Sequence, residues 1–183
     1  IAGGTYNIET AGRGLSGKDC LKISDGTFRI KSGKDALKSD NSEDEYRGYV
    51  YITGGTFEIQ SSADGIYGYS LVRIEGGDFT ITTSKSSSTD SFKAIKSATQ
   101  IEITDGNFVI SSVDDGLHSD GNVLISGGNL QITTSDDGIH ADGLVQIDGG
   151  TIDITAYEGI EGTYILINDG TISISASDDG INA

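Results

Sequence analysis

The chain is poor in cysteine and in basic side chains, and it has no long apolar run. Cys20 is its single cysteine, so no disulfide can form within the 183 residues. Lys and Arg number 12 against 28 Asp and Glu, and the net charge of −16 argues against nucleic acid or an anionic membrane surface as a partner. No apolar stretch reaches membrane-spanning length, and Ile1 does not begin a signal peptide. The excess of carboxylates favours metal cations as partners.

Motifs of nucleophilic catalysis are also missing. There is no Gly-x-Ser-x-Gly element, and Cys20 lies far along the sequence from His118 and His140. The Ca²⁺-binding nonapeptide Gly-Gly-x-Gly-x-Asp is absent as well. The sequence therefore gives no signal of nucleophilic catalysis, and it does not match the nonapeptide type of calcium-binding repeat.

The feature that dominates the sequence is an internal repeat. A Gly-Gly or Asp-Gly junction recurs, and the residues that follow it are separated by 22, 29, 22, 29, 22, 22 and 20 positions. These residues are Thr5, Thr27, Thr56, Asp78, Asn107, Asn129, Thr151 and Thr171. A period of this size is typical of a solenoid, in which each repeat is one turn and each repeat position becomes a column of stacked side chains.

Within a repeat the apolar residues alternate with polar ones, as in the segment 151–155, and this period of two indicates a β-strand. Three short strands and three bends fit into about 22 residues. The sequence therefore predicts an all-β chain: a right-handed, single-stranded parallel β-helix of about eight coils, forming one domain over residues 1–183. Since the chain has no initiator methionine and stops within a repeat, we expect it to be a processed or trimmed part of a longer chain.

Apolar columns at the strand positions predict the core. One column reads Phe28, Phe57, Phe79, Phe108, Leu130, Ile152 and Ile172, and another reads Ile23, Ile52, Ile74, Ile103, Ile125, Ile147 and Ile167. The glycine pairs are expected to form bends with positive φ. Each 29-residue step is explained by a seven-residue insertion, one within 39–48 and one within 84–91, and inserted loops of solenoids commonly shape a binding face.

Carboxylates concentrate in columns around the Asp-Gly-Ile element of the later repeats. Carboxylates on successive coils, about 4.8 Å apart, can ligate one Ca²⁺ ion at about 2.3–2.6 Å. We therefore predict calcium at a first cluster of Asp136, Asp137, Glu158, Glu161, Asp178 and Asp179. A second predicted cluster consists of Asp114, Asp115, Asp120, Asp136 and Asp142. The alternative is a solvated acidic face on which some carboxylates cap bends.

The series of motifs resembles a known family. The segments 135–143, Glu158-Gly-Ile-Glu-Gly162 and 177–183, together with 33–38 and 48–56, resemble clostridial carbohydrate-binding parallel β-helix proteins over essentially the whole chain. The resemblance implies a secreted protein with a pectate-lyase-like fold that binds calcium, cellulose and acidic sugars such as polygalacturonate without cleaving them.

Two functions follow as expectations. The first is non-catalytic, calcium-dependent binding of plant cell-wall polysaccharide by an extracellular protein, with no nucleic acid and no membrane insertion. The outward side chains Tyr67, Tyr69, His118 and His140 are then the carbohydrate-binding residues. The alternative is a calcium-dependent, pectate-type lyase that uses a lysine as its base. Lys34, Lys38, Lys93 and Lys96 are the candidates, but a lysine beside carboxylates has its charged form favoured, which opposes that role.

Overall fold

The structure of the protein, a computed structural model, describes residues 1–84 and 91–183. All regular elements in these residues are β-strands, every strand pairing is parallel, and no helix that could span a membrane is found in them. The strands stack as a solenoid of about eight turns, and successive turns are about 22 residues apart in sequence. This confirms the predicted fold class. The right-handed winding stays a prediction.

Each turn contributes one strand to each of three faces. The first face is an eight-stranded sheet formed by β1 (Ala2–Thr10), β4 (Asp25–Ser32), β7 (Thr56–Ser61), β10 (Asp78–Thr83), β13 (Asn107–Ser112), β16 (Asn129–Thr134), β18 (Thr151–Ala156) and β20 (Thr171–Ala176). The second face contains the short strands β2 (Leu15–Ser16), β5 (Leu37–Ser39), β8 (Ile66–Gly68), β11 (Ile95–Ser97) and β14 (Leu117–Ser119). The third face contains β3 (Cys20–Ile23), β6 (Tyr49–Ile52), β9 (Leu71–Ile74), β12 (Gln100–Ile103) and β15 (Asn122–Ile125).

In the later turns the second and third faces merge. β17 (Ile139–Ile147) and β19 (Ile160–Ile167) run through both faces, and β21 (Ile181–Asn182) continues the second face. Both seven-residue insertions leave the pairing of the second face intact, since Leu37, Ile66 and Ile95 remain direct partners. The first insertion lies between β5 and β6. The second lies between β10 and β11, and its residues 85–90 fall outside the described residues.

The core contains a stack of aromatic rings along the solenoid axis. Tyr6, Phe28, Phe57, Phe79 and Phe108 are face to face, with centroids 4.7–4.9 Å apart and planes within 2–4° of parallel. The spacing is that of parallel strands, so strand pairing itself sets the ring stacking. The in-register Leu130, Ile152 and Ile172 extend the column. The predicted Phe column is thus confirmed, with Tyr6 as an additional member.

The predicted isoleucine column lies in the interior along most of its length. Ile23, Ile52, Ile74, Ile103, Ile125 and Ile147 are buried, whereas Ile167 in β19 is 40% exposed. The glycine junctions form the expected bends: Gly77 has φ +119° and Gly128 has φ +93°, conformations that L side chains rarely adopt. The core therefore follows the repeat, and the same repeat sets the polar columns outside it.

Candidate functional site

One in-register column of side chains runs along the outside of the second face. Neighbouring turns pair these residues directly, and we call them the outer column: Lys38, Tyr67, Lys96, His118, His140, Glu161 and Asn182. All seven side chains are partly exposed. Because strand pairing fixes their spacing, the column presents a regular row of polar and aromatic groups.

Beside the outer column lies a ladder of buried aspartates, which we call the aspartate ladder. Asp35, Asp64, Asp115 and Asp137 are only 3–8% exposed. Each of the first three accepts, through Oδ1, a backbone N–H from the next turn: Asp64 N–H at 3.3 Å, Lys93 N–H at 3.0 Å and Asp137 N–H at 3.2 Å. These carboxylates therefore link successive bends, which is the structural role that the alternative interpretation of the acidic columns foresaw.

The second oxygen of three ladder carboxylates contacts the outer-column residue three positions later. Lys38 Nζ lies 2.7 Å from Asp35 Oδ2, and His118 Nδ1 lies 2.6 Å from Asp115 Oδ2. His140 Nδ1 is 3.0 Å from Asp137 Oδ2. The like-charge repulsion along the ladder is thus partly offset by side chains of the protein itself.

His118 and His140 stack on one another and each spans two carboxylates. Their ring centroids are 4.8 Å apart with planes 21° from parallel. His118 Nε2 is 3.0 Å from Asp120, and His140 Nε2 is 3.2 Å from Asp142. Ligand atoms of His118, His140 and the buried Asp115 lie within 4.8 Å of one another, a separation that a shared metal ion would permit. In the structure the ring nitrogens are instead engaged with carboxylates of the protein.

The environment of His140 favours its protonated form. The hydrogen bond to Asp137, together with that to Asp142 and the charge of Glu161, raises the pKa of His140 to about 9 despite partial burial. His140 Nδ1 also lies 2.8 Å from Glu161 Oε2. Burial, followed by the hydrogen bond with Asp137, raises the pKa of the Glu161 carboxyl. His140 is therefore protonated at neutral pH.

This protonation predicts how stability depends on pH. The pKa of His140 is 6.5 in the unfolded chain and about 9 when folded, so its contribution to stability is complete below pH 6.5 and is lost as the pH rises through 9. We expect His140→Gln to cost about 2 kcal/mol at about pH 6 and much less near pH 10. Urea unfolding of both proteins in EDTA measures this difference. A difference that does not change with pH would contradict the assignment.

The structure brings together part of the first predicted calcium cluster. Asp137 and Glu161 lie with His140 in one group of ligand atoms within 4.8 Å of one another. The others have different neighbours: Asn182 donates to Glu158 Oε2 at 3.2 Å, and the hydroxyl of Tyr157 is hydrogen bonded to Asp178. The backbone carbonyl of Asp179 accepts Gly159 N–H at 2.9 Å.

Three members of the second predicted cluster meet at one bend. Ligand oxygens of Asp114, Asp115 and Asp136 lie within 4.8 Å of one another, whereas Asp120 and Asp142 are held by the histidines. Burial, with added repulsion from Asp115, Asp137 and Asp114, raises the pKa of Asp136. The negative charge of Asp136 is therefore disfavoured when no cation is present.

The donor set of this group, which we call the Asp114 cluster, fits Ca²⁺. Its ligands are all carboxylate oxygens, and a separation of up to 4.8 Å matches two ligands on opposite sides of an ion at about 2.3–2.6 Å. Lys93 Nζ now lies 2.9 Å from Asp114 and 3.0 Å from Asp115. Calcium would have to displace this ammonium group from the cluster, while Asp136 is exposed and free to turn inward.

Tyr67 is the second residue of the outer column, and Tyr69 lies just after β8 in the same turn. Tyr67 is half-buried and has Lys38 Nζ 4.5 Å from its ring centroid; burial, with nearby carboxylates, raises its pKa to about 12. Tyr69 is partly buried, and its backbone bonds to both neighbouring turns, to Ser39 O and from Ala98 N–H. The first insertion holds Tyr46, which is 80% exposed.

Sequence reasoning did not predict which carboxylates two of the basic residues contact. Arg13 pairs with Asp40 at 3.1 Å, and Lys93 pairs with the Asp114 cluster. Both occupy the repeat position of the aspartate ladder, so a basic residue in an acidic column was the available signal. On the third face, Tyr49 and Tyr51 line a shallow cavity with Arg73.

The fold and the outer column together define a parallel β-solenoid with a polar recognition face. A family model described as "Carbohydrate-binding domain-containing protein" matches residues 1–138 and residues 120–183, so the two matches span the chain. The chain belongs to this carbohydrate-binding family. Comparison with curated protein sequences and with solved structures finds no match.

Proposed function

We propose that this protein is a secreted, non-catalytic binder of plant cell-wall polysaccharide that holds acidic polymers such as polygalacturonate through Ca²⁺ and also binds cellulose. Membership of the carbohydrate-binding family supports the general activity. The observation that carries the finer proposal is the Asp114 cluster, which lies beside the outer column of tyrosine and histidine side chains.

The distribution of charge explains why a cation is needed. All 12 Lys and Arg residues lie within 1–96, together with 13 carboxylates, whereas residues 97–183 hold 15 carboxylates and no Lys or Arg. The later turns should repel an acidic polymer. Bound calcium would supply positive charge shared between protein and uronate carboxylates.

The residues of the chain have distinct roles in this proposal. Asp114, Asp115 and Asp136 hold the ion. Tyr67 and Tyr69 offer ring faces for sugar stacking, which needs no charge and therefore suits a neutral glucan. His118 and His140, fixed between carboxylates, present hydrogen-bonding edges along the same column.

A binding experiment tests the metal dependence. Polygalacturonate pull-down in millimolar calcium should retain the wild-type protein, and EDTA should remove most of it, while retention on cellulose should change little. Asp136→Asn should weaken the calcium-dependent binding about tenfold, a loss of about 1.4 kcal/mol. The matched control is Asp153→Asn, the same change at an exposed position of the first face.

The outcomes separate the two parts of the proposal. Pectin binding that is equal with and without EDTA would rule out calcium bridging but leave carbohydrate binding intact. Failure to bind any of these polymers would overturn the proposed substrate class.

Two of the four candidate lysines, Lys38 and Lys93, favour binding over lyase activity. Burial favours the neutral amine of Lys93, but Asp115 and Asp114 outweigh burial and raise its pKa. Lys38 is held by Asp35 at 2.7 Å. Neither lysine is arranged as a base that removes a proton beside a uronate carboxylate. Sustained formation of an unsaturated, ultraviolet-absorbing product from polygalacturonate would overturn the non-catalytic proposal.

A further inference from the structure

We propose that the early turns of the second face contain a cationic cleft that binds the carboxylate of a hexuronate sugar directly, without metal. The identity of the polymer rests on the proposed function, but the mode of binding is different. The cleft has a volume of about 420 Å³, within the usual range for small-molecule sites. Its recognition groups are Arg13, Lys34, Lys38, Tyr67, Ser91 and Lys96.

The register of the strands positions two ammonium groups around an aromatic ring. Lys38, Tyr67 and Lys96 are direct neighbours on β5, β8 and β11. Lys38 Nζ lies 4.5 Å from the centroid of the Tyr67 ring. Lys38 covers one face of the Tyr67 ring, so a sugar would contact the uncovered part of the ring, with one basic side chain on the turn before it and another on the turn after it.

The acidic residues of the cleft are already occupied by partners within the chain. Asp35 accepts Asp64 N–H through one oxygen and Lys38 through the other. Asp64 is 5% exposed and accepts Lys93 N–H. Each carboxylate thus has a hydrogen-bond or ion-pair partner within the chain, which reduces its repulsion of an anion in the cleft.

The basic residues retain unused positive charge. Within residues 1–84 and 91–183, neither Lys34 nor Lys96 forms an ion pair; Lys96 Nζ donates to Ser91 Oγ at 3.4 Å and acts on buried Asp64 at longer range. Arg13 pairs with Asp40. Four basic side chains thus line a cleft with two buried carboxylates, in a chain whose net charge is −16.

The chemistry of the cleft favours a carboxylated sugar over a neutral one. Ammonium groups form charge-assisted hydrogen bonds with a carboxylate, and the Tyr67 ring provides an apolar surface for the sugar face. A neutral sugar would gain only the ring contact. The second face would then hold an acidic polymer in two ways: by direct ion pairs in the early turns, and through calcium at the Asp114 cluster on the turns of His118 and His140.

The test measures binding of a short galacturonate oligosaccharide by calorimetry in EDTA, with the neutral galactose oligosaccharide and inorganic phosphate as comparators. The double variant Lys34→Gln/Lys96→Gln removes the two unpaired charges. The control variant Lys22→Gln/Lys31→Gln makes the same change on the third and first faces. Thermal melting of each variant checks that it is folded.

We expect the wild type to bind the acidic oligosaccharide in EDTA at least about tenfold more tightly than the neutral one, equivalent to 1.4 kcal/mol. The cleft variant should lose at least about tenfold, and the control should stay within about twofold. Loss of affinity at high salt would support ion pairing.

Three results would overturn the inference: equal affinity for the neutral oligosaccharide, an unaffected cleft variant, or phosphate binding as tightly as the uronate. If EDTA abolishes wild-type binding while the calcium-dependent pull-down succeeds, the cleft proposal fails and the proposed function stands. If the protein binds the oligosaccharide in EDTA but shows no calcium-dependent binding, the cleft proposal stands and the calcium-dependent function fails.

Discussion

Gly138→Ala is expected to destabilise the solenoid by about 3 kcal/mol, the upper part of the range for overpacking a close-packed interior. A Cβ at Gly138 would lie 2.4 Å from Ile154 Cγ2 and 2.6 Å from the carbonyl oxygen of Gly159 in the next turn. That carbonyl accepts Ile139 N–H at 3.1 Å, so it cannot move away without weakening the strand pairing. Gly138 does not have a positive φ, so its backbone conformation does not require glycine. The close contact with the next turn is what requires it.

Gly12→Ala is the matched control for this substitution. A Cβ at Gly12 would meet only Thr10 Oγ1, at 3.7 Å, which is ordinary van der Waals contact. The change should therefore be neutral or slightly stabilising, because alanine lowers the entropy of the unfolded chain. Urea unfolding in EDTA measures both variants. If Gly138→Ala and Gly12→Ala are equally stable, the turns can separate locally around Gly138, which would contradict the close contact between turns at that position.

Asp115→Asn is expected to cost about 3 kcal/mol in the absence of calcium, the lower end of the range for breaking a buried ion pair. Asp115 is 3% exposed and contacts Lys93 Nζ, His118 Nδ1 and Asp137 N–H. Burial raises the pKa of Asp115, but the hydrogen bond from His118 and the charge of Lys93 outweigh burial and lower it. The carboxylate therefore stabilises the fold above its unfolded pKa, and this contribution is lost as the pH falls.

Asp136→Asn should behave in the opposite way. Asp136 is exposed and its charge is opposed by Asp115, Asp137 and Asp114, so removal of that charge should cost nothing, or stabilise slightly, in EDTA. In calcium the same variant should lose the stabilisation that the bound ion gives to the wild type. Urea unfolding of both variants with EDTA and with calcium checks the contrast. Equal losses for both in EDTA would contradict the distinction between Asp115, which stabilises the fold without metal, and Asp136, which acts only as a ligand.

The regular part of the fold could be predicted from the sequence because strand alternation and the repeat act together. Once Phe57 and Phe79 occupy the same repeat position, parallel pairing places them in one column, and the structure pairs them directly. The isoleucine column is predicted from its shared repeat position in the same way. Ile167 departs from it, since it is 40% exposed in β19.

The direction of the acidic side chains at the bends could not be predicted in the same way. Alternation predicts inward and outward positions along a strand, but the Asp-Gly bend interrupts it. Asp137 was therefore grouped with Asp136, whereas the structure buries Asp137 and exposes Asp136. A column of carboxylates in the sequence also does not show whether a metal ion or a basic side chain neutralises it. In the structure Lys93, from the adjacent turn, pairs with Asp114.

The uneven placement of basic residues gives the solenoid an electric dipole along its axis. Residues 1–96 carry a net charge of −1 and residues 97–183 carry −15, and the turns extend over roughly 40 Å at about 4.8 Å each. The electric field of a polyanionic fibre would exert a torque on this dipole and turn the early turns of the solenoid towards the fibre. The effect acts within a Debye length of about 8 Å at physiological ionic strength. Protein molecules that reach the fibre in calcium-poor solution would therefore bind with the early turns first. Calcium that is added later would then attach the acidic later turns to the fibre.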